Sequence, residues 1–552
     1  MEYLDRYNKW LNNVKDEELI NELHQMNDRE KEDAFYRDLA FGTGGLRGIL
    51  GAGTNRMNIY VVAKATQGLS NYLNKHYSNP SVVIGYDTRI KSDVFSKVAA
   101  EVFSFNNIQV NIYDKPLPVP TVSYGTRNLN ASAGVMITAS HNPSKYNGYK
   151  VYGEDGCQIT TEAAKEILNE INQIDEFSVS RKDFNNNELI NYISDDILTC
   201  FIEEVKKQSF LYDEKINKDI SIVYSPLNGT GLIPVTRVLK ELGYTNVITV
   251  KEQEAPDGNF PTCPYPNPEV REAMDLGIEY ARKNNADILI ASDPDCDRVG
   301  VAIRDNDDFT ILSGNEVGVL LFNYICEQKT KHNDMPDNPV LIKTIVTTDL
   351  ADRIADSYNI KTINVLTGYK FIGEQIDVLE KENRLNDFIF SFEESDGYLS
   401  GSYVRDKDGV NGACLVCEMY SYYKDKNIFL KDKLQEIYDK YGYYYNTLKS
   451  FEFPGSDGFE KMQKIMSGLR TNNLNSINNI KVLKCNDYLT GIDSLPKSDV
   501  LKYFLQDGST IVVRPSGTEP KLKMYIGVVA EEKEIAESKE IKINNALSVL
   551  MN

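Results

Sequence analysis

Four times in this chain an apolar, strand-like run stops abruptly in a loop of polar, turn-forming residues. Val135-Met136-Ile137 leads into Thr138-Ala139-Ser140-His141-Asn142-Pro143, and Ile288-Leu289-Ile290-Ala291 into Ser292-Asp293-Pro294-Asp295-Cys296-Asp297-Arg298. Ile389-Phe390-Ser391-Phe392 leads into Glu393-Glu394-Ser395-Asp396-Gly397, and Ile511-Val512-Val513 into Arg514-Pro515-Ser516-Gly517-Thr518-Glu519-Pro520-Lys521. Loops at the carboxyl ends of buried strands are where open α/β sheets place their chemistry. The pattern therefore predicts several α/β units, each presenting one functional loop.

The intervening segments agree. Val62, Ala65, Leu69 and Leu73 follow helical spacing, a strand is predicted over Ser81 to Gly85, and a helix over Asp93 to Phe103. That alternation signals a mixed α/β domain. A second unit starts at Ile220-Ser221-Ile222-Val223-Tyr224, continues through a helix near Val235 to Leu242 and reaches a strand over Ala286 to Ala291; a third starts at Pro339 to Val346. At 552 residues the chain exceeds one hydrophobic core. The expected division is a helical extension over 1–40, in which Leu11, Val14, Leu19, Ile20 and Leu23 share a helical spacing, then three similar α/β domains over 41–200, 201–315 and 316–445. A smaller α+β domain over 446–552 is expected from the paired runs Ser509 to Val513 and Lys521 to Val528. The Asn-rich segments near 184–190 and 471–479 read as loops.

A net charge of -20 repels nucleic acid and anionic membrane surfaces, so an anionic ligand must be held by a local basic cluster. The first residues lack the basic and apolar regions of a secretion signal, and no apolar run approaches the length of a membrane span, so a cytoplasmic protein is expected. Eight scattered cysteines suit free thiols in a reducing compartment; Cys414 and Cys417, alone in a predicted helix, read as buried packing.

Ser140 has no Gly-x-Ser-x-Gly elbow, and the chain has only four histidines, so a hydrolase nucleophile is a poor reading. A serine that carries a phosphoryl group is a better one; a serine that only closes its own turn is the bland alternative. Asp293, Asp295 and Asp297 alternate along one loop and can converge on a hard cation, for which Mg²⁺ is the natural occupant. The same stretch also resembles the first motif of haloacid-dehalogenase-type phosphatases, with Asp293 as nucleophile, but that reading leaves Asp297 and Ser140 unused. Arg514, Ser516, Gly517, Thr518 and Lys523 offer a guanidinium, hydroxyls, a backbone N–H and an ammonium, which together suit a phosphate. Period-two alternation places Lys521 and Lys523 on the face opposite Leu522 and Met524. Glu393 and Ser395 suit sugar hydroxyls, Lys370 lies in the glycine-flanked stretch Thr367 to Gly373, and Arg47 ends the glycine-rich stretch Phe41 to Gly48.

The motifs Thr-Ala-Ser-His-Asn-Pro, Asp-Pro-Asp-Cys-Asp-Arg, Glu-Glu-Ser and Arg-Pro-Ser-Gly-Thr-Glu-Pro-Lys, in that order, resemble the α-D-phosphohexomutase superfamily from about residue 40 to the C-terminus. Within it the chain is similar to phosphoglucomutases of the bacterial type, which in turn resemble phosphopentomutases. The resemblance implies three similar α/β domains and a smaller TATA-binding-protein-like α+β domain around a central cleft. It implies exchange of glucose 1-phosphate and glucose 6-phosphate through a phosphorylated Ser140, with glucose 1,6-bisphosphate as intermediate and primer. Mg²⁺ would be held by Ser140, Asp293, Asp295 and Asp297. Arg47, His141, Lys150, Arg298 and Lys370 would line the reacting centre, Lys370 or His141 acting as base. Glu393 and Ser395 would bind the sugar, and Arg514, Ser516, Gly517, Thr518 and Lys523 the non-reacting phosphate. The only expected partner is a small phosphosugar, bound by a monomer or weak homodimer. The sugar loop lacks the histidine common in phosphomannomutase-type members, which disfavours mannose.

Overall fold

The run Ala133–Ile137 is buried at every position, as expected of a strand inside a covered sheet rather than at a wet face. In the computed structural model, which describes residues 2–551 apart from Thr43, Asp307, Pro454, Asn472, Asn473, Asp493, Ser494 and 517–520, it lies inside a six-stranded mixed sheet. The order is Gly45–Ile49, Tyr146–Gly153, Ala133–Ile137, Ser81–Tyr86, Gln109–Ile112, Ile190–Tyr192. Ser81–Tyr86 runs parallel to it and Tyr146–Gly153 antiparallel, so the Ser140 loop joins two neighbouring strands. Helices Ile59–His76, Ser92–Phe105 and Thr161–Ile171 bury their apolar faces in this domain's core.

The N-terminal extension is helical, as expected, and consists of three helices, Glu2–Asn13, Glu17–Gln25 and Asp28–Phe35. Asp16 caps the second and Asn27 closes a capping box with Glu30 on the third, which breaks the periodic run twice. Trp10 anchors the extension, fully buried edge-on to Phe35, Tyr60 and Phe177 with its indole N–H donated to Glu176.

A second sheet follows in the order Asp308–Leu312, Val299–Asp305, Ile288–Ser292, Ile222–Ser225, Val247–Thr249. Its central strand, Ile288–Ser292, is again buried throughout and ends at the aspartate loop. Both sheets belong to one compact unit, made of Met1–Ser313, Ile372–Leu385 and Ser395–Ser421.

A second compact unit holds Gly314–Phe371, Asn386–Glu394 and Tyr422–Asn552. In it Val340–Thr344 pairs in parallel with Lys361–Val365 on one side and Phe388–Glu393 on the other. An antiparallel sheet runs in the order Tyr443–Glu452, Lys521–Ala530, Thr510–Pro515, Leu501–Leu505, Ile480–Asp487, Ser476–Ile477. Ile511 and Val513 join a core with helices Gly455–Thr471 and Lys533–Met551, whereas Val512 and Tyr525 pack with Ile345, Val346 and Leu366. The segment 471–479, read above as a loop, contains the strand Ser476–Ile477, which turns back through Asn478 and Asn479, both at positive φ. Two asparagines in the left-handed region make a tight hairpin turn, which an Asn-rich composition alone does not distinguish from a loop.

Among the described residues no helix is long and apolar enough to cross a membrane. The eight cysteines are free, with Cys414 and Cys417 buried in helix Gly409–Asp425.

Candidate active site

Ser140 stands three residues beyond its strand with φ at 53°, a left-handed conformation that a serine adopts only where its surroundings hold it. Its N–H donates to Thr138 Oγ1 at 2.8 Å, and its hydroxyl donates to Asp293 Oδ2 at 3.0 Å. His141 Nδ1 lies 3.2 Å from the same hydroxyl. Arg47 comes from the edge strand Gly45–Ile49, where it is opposite Gly148, and donates to Asn142 Oδ1 at 3.0 Å. A Cβ on Gly148 would sit 2.5 Å from the Thr138 carbonyl oxygen, so a glycine is required for the strand to pass that close to the loop.

The aspartate loop faces this serine. Asp293, Asp295 and Asp297 are fully buried, with one carboxylate oxygen from each lying within 4.8 Å of the others. Asp293 Oδ1 accepts the N–H groups of Asp297 (3.1 Å) and Arg298 (3.0 Å), which folds the loop back on itself around a left-handed Cys296. Thr138 Oγ1 donates to Asp295 Oδ2 at 3.1 Å and ties the two loops together. Lys150 Nζ contacts Asp295 at 2.9 Å and Asp297 at 3.4 Å, and Lys407 Nζ reaches Asp297 at 2.8 Å. Arg298 is paired with Glu269.

The electrostatics follow from burial and crowding. Burial, then the charges of Asp295 and Asp297, push the Asp293 carboxyl well above its ordinary range. Burial pushes Asp295 the same way, but Lys150, with hydrogen bonds and Lys407 in support, outweighs it and holds that carboxyl low. Burial together with Arg298 and Arg47 drives His141 well below 6.5, leaving a neutral imidazole beside the hydroxyl. Asp295 Oδ1 and Asp297 Oδ1 are buried and accept no hydrogen bond. Orphaned carboxylate oxygens converging with a crowded third carboxylate are what a hard divalent cation would satisfy, so the donor set fits such an ion.

The sequence predicts Ser140, His141, Arg47, Lys150, Arg298 and the three aspartates as site residues, and the first unit gathers them all. Ser395, half-buried, opens a segment of the same unit that is bonded to the aspartate loop: the Val299 N–H donates to the Asp396 carbonyl at 2.9 Å, and the Gly409 N–H to that of Cys296 at 3.1 Å. Lys407 arrives on this segment and has no counterpart among the predicted residues. Its signal, Asp406-Lys407-Asp408-Gly409, is a polar turn before a helix and shows nothing chemical by itself. Arg89, buried behind Ser140, is absent from the prediction as well.

The other predicted residues that the structure describes lie in the second unit. Glu393 is buried and accepts the Gly368 N–H at 3.2 Å, and Lys370 is a buried residue of helix Tyr369–Lys381 with its ammonium over the Phe371 ring. Arg514 and Lys523 are cross-strand partners, Arg514 donating to the Tyr525 hydroxyl at 3.1 Å, and the Ser516 N–H bonds to Lys521. Lys521 and Lys523 share the half-buried face while Leu522 and Met524 are buried, as alternation predicts. Gly517 and Thr518 lie outside the described residues.

Residues 38–178, 199–306 and 313–441 match alpha/beta/alpha domains I, II and III of phosphoglucomutase/phosphomannomutase, and 464–541 match its C-terminal domain. A phosphoglucomutase of Staphylococcus saprophyticus is 37% identical over 543 residues, 95% of this chain and 96% of the relative. The chain belongs to the phosphoglucomutase/phosphomannomutase family. Membership makes it an isomerase, an intramolecular phosphotransferase. Solved structures share the fold: parafusin (phosphoglucomutase) from Paramecium, in its open form, has a TM-score of 0.68 at 18% identity, covering 93% of this chain and 95% of that one. An N-acetylphosphoglucosamine mutase of Aspergillus fumigatus, in complex with GlcNAc-6P and magnesium, has a TM-score of 0.51 at 13% identity, covering 94% and 97%.

Proposed function

We propose that the chain interconverts glucose 1-phosphate and glucose 6-phosphate, with Ser140 carrying the phosphoryl group and glucose 1,6-bisphosphate as the intermediate and primer. The observation that carries this reading is the Ser140 hydroxyl 3.0 Å from Asp293 at the edge of the buried aspartate cluster. Phosphoryl transfer needs positioning and charge neutralisation more than covalent assistance, and this hydroxyl is positioned at an anion-rich, cation-hungry loop. Asp293, Asp295 and Asp297, with the phosphoserine, would hold Mg²⁺; the magnesium in the Aspergillus complex supports that choice of ion. When bound, the ion neutralises charge that develops on the transferring group.

In the forward direction the P–Oγ bond of phosphoserine breaks as a bond to the sugar's 6-oxygen forms, and that hydroxyl's proton passes to a base. The bisphosphate then returns its 1-phosphoryl group to Ser140, and the 1-oxygen regains a proton. The base is assigned to Lys370, with His141 as the alternative; the neutral imidazole beside Ser140 supports His141. Arg47, Lys150 and Arg298 are assigned to the reacting phosphate, Glu393 and Ser395 to sugar hydroxyls, and Arg514, Ser516, Gly517, Thr518 and Lys523 to the idle phosphate. The aspartate-nucleophile reading has little support, because it gives no role to Asp297 or to the Ser140 hydroxyl held against Asp293.

The test is turnover of glucose, mannose, ribose and deoxyribose 1-phosphates by the full chain with Mg²⁺ and bisphosphate primer. Glucose 1-phosphate should be the best substrate, and Ser140→Ala should lower its turnover on the order of 10⁴-fold or more. Phosphate release undiminished in Ser140→Ala would overturn the proposal in favour of a phosphatase.

A further inference from the structure

Arg89 follows strand Ser81–Tyr86 in the turn Asp87-Thr88-Arg89, and its side chain has no exposed surface. A buried guanidinium is costly unless its donors are used, and here four main-chain carbonyls use them. Nη1 donates to Pro143 (3.0 Å) and Tyr146 (3.1 Å), and Nη2 donates to Ser140 and Asn142. Nε faces Asp87 Oδ2 at 3.3 Å, and the Phe260 ring lies 5.0 Å from the guanidinium carbon. Asp87 is itself fixed, its other oxygen accepting the Arg89 N–H (2.9 Å) and the Ser92 hydroxyl (2.7 Å).

Three of the four carbonyls belong to the turn that carries Ser140, and the fourth, that of Tyr146, opens the strand into which the turn runs. Carbonyl dipoles aimed at one point repel each other unless a cation sits there, so the turn takes this shape around the guanidinium. A fork of five fixed donors suits that task, whereas a lysine ammonium offers three donors from one point. The left-handed backbone at Ser140 is the strained residue of the turn, and its own carbonyl is one of the four held.

We propose that Arg89 is a positioning residue for phosphoryl transfer: from behind the loop it fixes the Ser140 hydroxyl against the aspartate cluster and never touches the substrate. This inference rests on the proposed phosphoserine chemistry. A misplacement of about 1 Å at a reacting oxygen costs on the order of 10²-fold in rate. Arg89→Lys in the full chain should therefore lose about that much kcat, with KM for glucose 1-phosphate little changed, and should take phosphate from glucose 1,6-bisphosphate at Ser140 correspondingly slowly by intact mass. Phe260→Leu, which leaves the charge in place, should show a smaller loss of the same kind. Methylguanidinium should restore part of the kcat of Arg89→Ala and none of that of Ser140→Ala. Wild-type kcat and phosphorylation rate in Arg89→Lys overturn the inference, as does a change confined to KM. Should Arg89→Lys fail to fold, wild-type behaviour of Phe260→Leu overturns it. If wild type itself takes no phosphate at Ser140, the functional reading falls and this inference with it; wild-type phosphorylation matched by Arg89→Lys sinks the inference alone.

Discussion

Ser140 and Asp293, 153 residues apart in sequence, share a hydrogen bond of 3.0 Å. The contact joins the loops of two separate sheets, and Asp293 is also the carboxyl that burial, and after it the charges of Asp295 and Asp297, pushes well above its ordinary range. Asp293→Asn keeps an oxygen for the Asp297 and Arg298 N–H groups and so should keep the loop's shape, while removing one anionic ligand. Several kcal/mol of charge stabilisation would go with it, so turnover with Mg²⁺ should fall on the order of 10³-fold. Thermal unfolding of the metal-free variant should stay near that of wild type. Turnover within about tenfold of wild type would count against a metal role for Asp293.

Thr138 touches both partners of the proposed chemistry without being a ligand: it accepts the Ser140 N–H and donates to Asp295 Oδ2. Groups that orient a metal ligand typically contribute 10–100-fold in affinity. Thr138→Val, nearly isosteric, should therefore weaken Mg²⁺ binding by about 10–100-fold in calorimetric titration. An unchanged affinity would mean that Asp295 needs no such orientation.

Much of this was legible in the sequence because a strand followed at once by polar residues leaves few places for those residues to go. Ser140, the aspartates and the Arg514 hairpin all follow that rule, and the buried runs before them are strands. Arg89 and Lys407 were not legible, since charged residues are ordinarily exposed and nothing local says that these two are buried. Both are defined by partners far along the chain: carbonyls 51 to 57 residues on for Arg89, and Asp297 for Lys407. The extension's division into three helices was written locally, in Asp16 and Asn27, but apolar spacing read alone passes over caps.

Lys407 supplies the next prediction. Its ammonium is 2.8 Å from Asp297, whose side chain has no exposed surface, and Lys407 itself is nearly buried. Removing one partner of a buried pair strands the other charge, at a cost of about 3–5 kcal/mol. Lys407→Met should lower the unfolding free energy by roughly 3 kcal/mol in EDTA, with Lys150 limiting the loss. Saturating Mg²⁺ should recover part of it, because a cation would then answer the same carboxylates. Equal losses with and without Mg²⁺ in urea titrations would show that Lys407 matters through packing alone.

Asp408, on the segment bonded to the aspartate loop, offers a pH signature of its own. It is fully buried at the start of helix Gly409–Asp425, where Oδ1 accepts the N–H groups of Val410 (2.8 Å) and Asn411 (3.2 Å) and Oδ2 the Tyr403 hydroxyl (2.5 Å). Burial still wins over these bonds and raises the carboxyl from 3.8 to about 6. Below pH 3.8 the group is neutral in both the folded and unfolded chain and costs nothing. Between 3.8 and about 6 the unfolded chain releases the proton before the folded one does, so stability falls as pH rises through that window. Above it the full penalty applies, roughly 3 kcal/mol for a shift of about two units. Asp408→Asn keeps the oxygen that caps the helix and lets the Tyr403 hydroxyl turn to accept, without a charge to bury. The variant should therefore unfold at a higher temperature than wild type near pH 7.5 and at the same temperature near pH 4, both measured by calorimetry. A stabilisation that is equal at the two pH values would show that the ionisation of Asp408 is not its source.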